Sequence, residues 1–245
     1  MEKRSIKEQI DESVIQAKKR SNKTGGVDYL SARESRQISR FNRRNTAQIE
    51  RERNRRNVDR SEYITKMRDP NNVVEFDDLH TYFFTDVGTV RAVDGVSFDV
   101  PVGKTVGVVG ESGCGKSVTS LSLMQLVQRP QGQIVEGAIR LNLGDEAIDI
   151  ARTPTSEMQK IRGRYVSMIF QEPMTSLNPV FRIGAQVDEV IQLHNPQMSK
   201  TDVKAHTIEM LKLVGIANSE GSQTGGGQSG HRHFRNQRTK MDWNG

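Results

Sequence analysis

The sequence has little of what marks secreted or membrane-spanning proteins. It contains a single cysteine, Cys114, which excludes an internal disulfide framework and suits a reducing compartment such as the cytosol. No stretch approaches the roughly 18 consecutive apolar residues of a membrane-spanning helix, and the first residues lack the apolar run of a signal peptide. Secretion is therefore unsupported, and we expect any membrane contact to be peripheral.

Positive charge is concentrated in the first part of the chain. Residues 1–70 hold 19 Lys and Arg against 11 Asp and Glu, whereas residues 71–245 hold 17 against 19. The net charge of +6 therefore describes an N-terminal arm and not the domain that follows. Composition predicts three parts: a basic extension over 1–70, a domain over 71–220, and a low-complexity, unrelated tail over 221–245.

The basic arm carries two helix signals. Ser5 and Glu8 form a capping box ahead of a narrow apolar stripe, and residues 31–34 are a second capping signal before an Arg- and Asn-rich stretch. Apolar residues are sparse between 20 and 70, so little apolar surface offsets the entropy of ordering. We therefore expect most of this stretch to be mobile or only marginally helical.

The sequence pattern of the central part is typical of an α/β domain. Apolar runs predict strands, and helical spacing of apolar residues predicts helices after Ser117 and after a capping box at residues 199–202. Strands interleaved with helices indicate the α/β class. The predicted strands are 73–76, 82–84, 96–100, 105–109, 134–141 and 165–170.

A glycine-rich loop joins the predicted strand 105–109 to a helix. Its sequence GESGCGKS fits GxxxxGK[ST], with a strand before it and a helix after it. Glycines permit close backbone approach to a phosphate chain, and backbone amides would converge on it at the positive end of the helix. A chance glycine-rich turn is the alternative interpretation, and the flanking elements disfavour it. The predicted nucleotide-binding residues are Gly110, Glu111, Ser112, Gly113, Cys114, Gly115, Lys116, Ser117 and Val118.

Three members of this loop have distinct predicted roles. Lys116 would place a compact cation on the β and γ phosphates, and the Ser117 hydroxyl would ligate Mg²⁺. Cys114 occupies a variable position of the pattern, so an incidental small residue is favoured over a redox role.

Reading outward from the loop, VRAVDGVSFDVPVGKTVGVVGESGCGKS resembles the first part of an ATP-binding cassette (ABC) subunit, and SMIFQEPMTSLNPVFRIG resembles its Q-loop region. The segment FQEPMTSLNP resembles the corresponding segment in the ATP-binding subunits of bacterial oligopeptide and dipeptide importers. The resemblance runs from about 74 to 216. It implies an α/β fold, the P-loop NTPase fold of the ABC type, with an antiparallel strand layer and an incomplete core. It also implies ATP and Mg²⁺ as ligands.

The resemblance also implies further site residues and partners. Gln171 would reach Mg²⁺ or the attacking water, and Phe83 would stack on adenine, although sequence does not choose among Tyr82, Phe83 and Phe84. Residues 172–179 would receive a cytoplasmic helix of a transmembrane permease subunit. A second ATP-binding subunit completes the implied assembly, at the cytoplasmic face of the cell membrane.

The family pattern breaks beyond the Q-loop. No convincing signature motif, Walker B acids or switch histidine follows, so no catalytic residue is identified. Residues 224–228 match the signature motif only superficially. We expect a surface turn at residues 141–146, and we do not expect His231 and His233 to form a metal site. We expect a family member whose remainder is lost, in which the strand 105–109 lacks a neighbour and leaves apolar surface exposed.

Two alternatives stay open beside the transport function. One is a catalytically silent nucleotide-binding or interaction fragment, and the other is a P-loop protein whose basic arm binds nucleic acid. The arginines of the arm favour a solvated or partner-contacting extension, an anionic membrane surface is second, and nucleic acid is the least favoured because no aromatic residues interleave them.

Overall fold

The structure, a computed structural model, describes residues 7, 8, 10, 32–86, 88–171 and 176–216. The chain divides into two compact units, Met1–Ser167 and Met168–Gly245, and each is described by itself. The compositional boundary predicted near residue 70 does not coincide with a boundary between these units. The predicted tail over 221–245 lies outside the described residues.

The first unit is built on a five-stranded antiparallel sheet. The long strand β2 is central, because it pairs with β3 along its whole length and with β4 from Val74 to Phe83. The spatial order is β1-β5-β4-β2-β3. The strands are β1 (Ile64–Thr65), β2 (Asn72–Thr85), β3 (Gly88–Pro101), β4 (Gly132–Asn142) and β5 (Ala147–Asp149).

Helices accompany the sheet in the first unit and form a pair in the second. In the second unit the Ser199 hydroxyl accepts a hydrogen bond from the amide of Asp202, which confirms the predicted cap. The helix predicted after Ser117 is also present. The helices are α1 (Ala32–Arg53), α2 (Lys116–Leu123) and α3 (Thr155–Ile161), then α4 (Ile183–His194) and α5 (Lys200–Leu213).

Apolar side chains form two clusters in the first unit. The larger cluster includes Leu79, Ile139 and Ile148, all essentially without solvent exposure. The smaller cluster joins Tyr82 and Phe84 of β2 to α1. The sheet therefore carries apolar contacts that hold helices and loops against it.

Polar contacts join helix α1, which lies in the predicted basic extension, to the rest of the first unit. Besides buried Ile49, the Asn42 amide donates to the carbonyl of Thr85 at 2.7 Å. Glu50 pairs with Arg129. The hydrogen bond and the ion pair hold the helix over residues 32–53 against β2 and the segment before β4. That most of 20–70 is mobile or only marginally helical stays a prediction.

Two predicted strands, 105–109 and 165–170, are not formed. Residues 105–109 have no secondary structure, and within 165–170 only Val166 makes an isolated bridge, to Arg162. A strand requires hydrogen bonds from a neighbouring strand, and apolar composition alone does not provide them. As expected for a segment without a neighbour, Val109 is 95% exposed. Ile169, in the second unit, is 92% exposed.

The segment 141–146, predicted as a surface turn, is a turn over residues 143–146 only, because Leu141 and Asn142 end β4 and Leu141 is buried. It connects β4 to β5, where the Leu143 amide donates to the carbonyl of Glu146 at 2.8 Å. The Glu146 carboxylate pairs with Arg60. These contacts give the segment a structural role at the sheet edge.

Candidate functional site

The glycine-rich loop leads directly into the first turn of α2. Gly115 is the N-cap of α2, with a φ of 95°, a left-handed conformation that favours glycine. A Cβ at this position would lie 2.3 Å from the carbonyl oxygen of Ala92 in β3. The loop can therefore follow this path and pack on β3 only with glycine at position 115.

The rest of the loop also depends on glycine. Gly113 has a φ of 82°, and a Cβ on Gly110 would lie 2.6 Å from the sulfur of Cys114. The Cys114 amide donates to the carbonyl of Glu111 at 3.3 Å, which closes the turn. Residues 110–114 are exposed, so Glu111 and Ser112 present their backbone to solvent together with the glycines.

Helix α2 leaves amides without intrahelical partners at the loop. The amide of Thr119 makes the first helical bond, to the carbonyl of Gly115, at 2.9 Å. The amides of Lys116, Ser117 and Val118 precede it and have no carbonyl one turn earlier to bond. Such amides, at the positive end of a helix, are suited to a phosphate group.

The Lys116 ammonium lies across the loop. Its Nζ donates to the carbonyls of Gly110 and Glu111, both at 2.7 Å, and lies 3.6 Å from the sulfur of Cys114. A lysine ammonium has three donors and no acceptor, so phosphate oxygens entering the loop would be new acceptors for it. The loop, its amides and this cation together fit a phosphate chain.

The residues predicted to hold Mg²⁺ lie in different units. Ser117 is exposed at the start of α2, and Gln171 is exposed in the second unit, so its placement beside the loop stays a prediction. In the part of the chain that the structure describes, no group of three or more His, Cys, Asp or Glu could hold a metal. A hydroxyl and an amide oxygen fit Mg²⁺ only together with phosphate and water oxygens, which is the way Mg²⁺ is commonly bound.

The strand β2 separates the three candidate aromatics for adenine stacking. Tyr82 and Phe84 are buried in the smaller apolar cluster with Ile49 of α1. Phe83 is half-buried, and its ring lies beside Gly132 of β4, where a Cβ would come within 2.8 Å of it. Of the three, only Phe83 keeps partial solvent exposure, and its role in stacking stays a prediction.

Sequence reasoning missed a buried polar cluster around His80. Its Nδ1 lies 2.8 Å from Asp94, and its Nε2 lies 2.9 Å from the ammonium of Lys7. The Asp78 carboxylate lies 3.2 Å from the same Nε2, so two carboxylates and one ammonium surround the ring. The hydrogen bond from Tyr82 lowers the pKa of the Asp94 carboxyl, against the opposing effect of burial.

Knowledge of the β2–β3 pairing register would have shown that His80 and Asp94 are neighbours. His80 and Asp94 are directly opposite each other in the β2–β3 pairing, although 14 positions separate them in the sequence. The cluster joins residue 7 to the sheet, and it belongs to the fold of the first unit.

The other motifs considered in the C-terminal part of the chain lie outside the described residues. These are residues 172–175 of the predicted permease-binding loop, residues 224–228, His231 and His233. No helix in the described ranges has both the length and the apolar character needed to span a bilayer.

The fold and the loop define the class of an ATPase cassette with a phosphate-binding loop. The protein-family model for ABC transporters matches residues 93–233, which is more than half of the chain. The chain therefore belongs to the ABC transporter family.

Curated relatives narrow the comparison. The chain is 47% identical over 148 residues to the oligopeptide transport ATP-binding protein AppD of Bacillus subtilis (strain 168), covering 60% of this chain and 44% of AppD. It is 45% identical over 148 residues to the dipeptide transport ATP-binding protein DppD of Lactococcus lactis subsp. cremoris (strain MG1363), covering 60% of this chain and 41% of DppD. The chain thus spans less than half the length of these relatives.

A solved structure supports the fold. The dimeric structure of MJ0796, a bacterial ABC transporter cassette, matches with a TM-score of 0.50 and 19% identity, covering 59% of this chain and 58% of that one. At this identity the likeness concerns the fold alone, and it agrees with the predicted ABC-type α/β class.

Proposed function

We propose that this chain is the ATP-binding part of a peptide-importer ATPase subunit. The observation that carries the proposal is the loop at 110–117, in which the Lys116 ammonium and the first amides of α2 meet beside Gly115, where a Cβ would collide with the backbone of β3. ATP is the ligand proposed for it. The names of AppD and DppD, both ATP-binding proteins of peptide transport, support the substrate class.

The proposed roles within the site follow from the chemistry of each group. The backbone of residues 110–118 holds the phosphates, Lys116 neutralises the β and γ phosphates, and Phe83 stacks on the base. Ser117 and Gln171 would contribute oxygens to Mg²⁺, which neutralises phosphate charge when bound. Glycine at 110, 113 and 115 keeps the backbone close enough for these contacts.

The proposed assembly has two kinds of partner. Transmembrane permease subunits would receive the chain at the cytoplasmic face of the membrane, and a second ATP-binding subunit would pair with it. The transport names of AppD and DppD support the first partner, and the dimeric state of MJ0796 supports the second. In the complete assembly ATP binding and hydrolysis would drive solute uptake. We also propose that residues 1–70 act as an extension of the ATP-binding domain that begins near residue 71.

Calorimetric titration of the full chain with ATP and Mg²⁺ tests nucleotide binding. Lys116→Ala should weaken binding at least about tenfold, because it removes charge-assisted hydrogen bonds to phosphate. Lys104→Ala is the matched control, since Lys104 is an exposed lysine outside the loop. Absence of heat with the unaltered chain, or equal affinity of the Lys116→Ala chain, would refute the proposal.

Recovery from membranes tests the transport assignment. The tagged full chain should co-purify with permease subunits when both are produced together. If the folded chain binds ATP but is recovered without any membrane protein, the importer assignment would be refuted. The chain would then be assigned as a nucleotide-binding protein only.

A further inference from the structure

One side of α1 presents a row of arginines to solvent. At about 100° per residue, they fall within a sector roughly 100° wide, opposite the buried residues of the helix. The row runs about 27 Å along the helix axis, at about 1.5 Å per residue. Its members, all exposed, are Arg33, Arg36, Arg40, Arg43, Arg44 and Arg51, called here the arginine face.

Two of the three acidic residues of α1 lie away from the arginine face, and the third, at its edge, is engaged elsewhere. Glu34 and Glu52 are both roughly 130° around the helix from its centre. Glu50 is roughly 70° from the centre, and it is paired with Arg129. None of the six guanidinium groups forms an ion pair with another described residue. Within the described part of the chain, the arginine face is therefore a strip of positive charge without an ion-pairing carboxylate.

The arginine face is held on a fixed support. The opposite side of α1 contacts the sheet through Asn42 and Ile49, and Glu50, between the two sides, accepts a hydrogen bond from Gln133 of β4. The helix cannot turn the arginines inward without breaking these contacts. The same contacts occupy the side of α1 that an interfacial helix would insert into a bilayer. A planar anionic surface that approaches this side of α1 would thus meet its guanidinium groups and not its apolar side.

We infer that the arginine face of α1 binds anionic phospholipid headgroups. Guanidinium groups pair well with phosphate, and a straight strip matches a planar array of headgroups. The choice of lipid over nucleic acid rests on the proposed function at a membrane. It is also supported by the position of Phe41, the one aromatic of α1, which packs against the smaller apolar cluster and offers no ring to a base.

Co-sedimentation of the full chain with lipid vesicles tests this inference. In about 0.1 M NaCl the chain should bind vesicles with about one third phosphatidylglycerol in phosphatidylcholine, and not pure phosphatidylcholine vesicles. The combined Arg36→Gln, Arg40→Gln and Arg44→Gln variant should bind roughly a hundredfold more weakly, at roughly fivefold for each basic residue. Glutamine has a helix propensity close to that of arginine, so circular dichroism should show unchanged helix content. Replacing the same three residues by lysine should restore most of the binding.

The matched control removes three positive charges elsewhere. Lys104, Lys200 and Lys204 are exposed and lie outside α1, so their combined change to Gln should leave vesicle binding within about threefold of the unaltered chain. Equal weakening by both triple variants, or binding to pure phosphatidylcholine, would overturn the inference. Tighter binding to a short DNA duplex than to the anionic vesicles at the same salt would also overturn it. ATP titration of the same samples separates this outcome from failure of the proposed function.

Discussion

Glu50 is the carboxylate on which the attachment of α1 to the sheet depends. It accepts hydrogen bonds from Nε of Arg129 at 2.7 Å and from the amide of Gln133 at 2.7 Å. The hydrogen bond from Arg129 is the main reason that the pKa of Glu50 is lowered from 4.5 to about 2, against burial. Nearby, burial lowers the pKa of the Arg53 guanidinium to about 10. Glu50→Gln should therefore leave two arginines without their carboxylate.

The magnitude follows from the pKa of Glu50. The difference between 4.5 and about 2 corresponds to roughly 3 kcal/mol of folding free energy at neutral pH. Because the pKa is lower in the folded state, this contribution is complete well above pH 4.5 and is lost as the pH falls toward 2. More than half of it should be lost by about pH 3.

Urea unfolding of the full chain at several pH values measures the effect. At neutral pH Glu50→Gln should lower the free energy of unfolding by roughly 3 kcal/mol, and the difference from the unaltered chain should shrink below pH 4.5. Glu52→Gln is the control, because Glu52 is an exposed glutamate of the same helix. A loss that does not change with pH, or a loss no larger than that of the control, would refute this account of how α1 is held.

Three further predictions concern the loop and its ligand. Gly115→Ala should weaken ATP binding at least about tenfold, because a Cβ there meets the backbone of β3. Gly103 also has a positive φ but has open space around it, so Gly103→Ala should change only the free energy of unfolding, by about 1 kcal/mol. Equal ATP affinities of the two variants in calorimetry would contradict this. Phe83→Ala should weaken ATP binding severalfold with little loss of stability. Phe84→Ala should lower the free energy of unfolding by about 3 kcal/mol. Weaker ATP binding by the Phe84→Ala chain and not by the Phe83→Ala chain would exclude Phe83 as the stacking residue. The isolated chain should show no Mg²⁺-dependent phosphate release above background, because the sequence offers no Walker B acids; release that Lys116→Ala abolishes would contradict this.

Local patterns predicted some parts of this fold well. The Ser199 cap, the start of α2 and the conformations of the loop glycines involve residues within one or two turns of each other. Propensity, capping and steric restrictions act over that range, so the residue types carry enough information. The strand 105–109 failed as a prediction because its hydrogen bonds would have to come from another strand, which its own residues do not specify.

By itself the sequence determined the residues of the loop, the charge of the arm and the family to which the chain is similar, because each is carried by contiguous residues. Tertiary structure alone decided which of Tyr82, Phe83 and Phe84 stays partly exposed, since Tyr82 and Phe84 pack against α1 and Phe83 does not belong to that cluster. It also paired His80 with Asp94 through the hairpin register and joined Glu50 to Arg129, 79 positions apart. These contacts depend on how distant segments meet, and burial and electrostatics then set their strength.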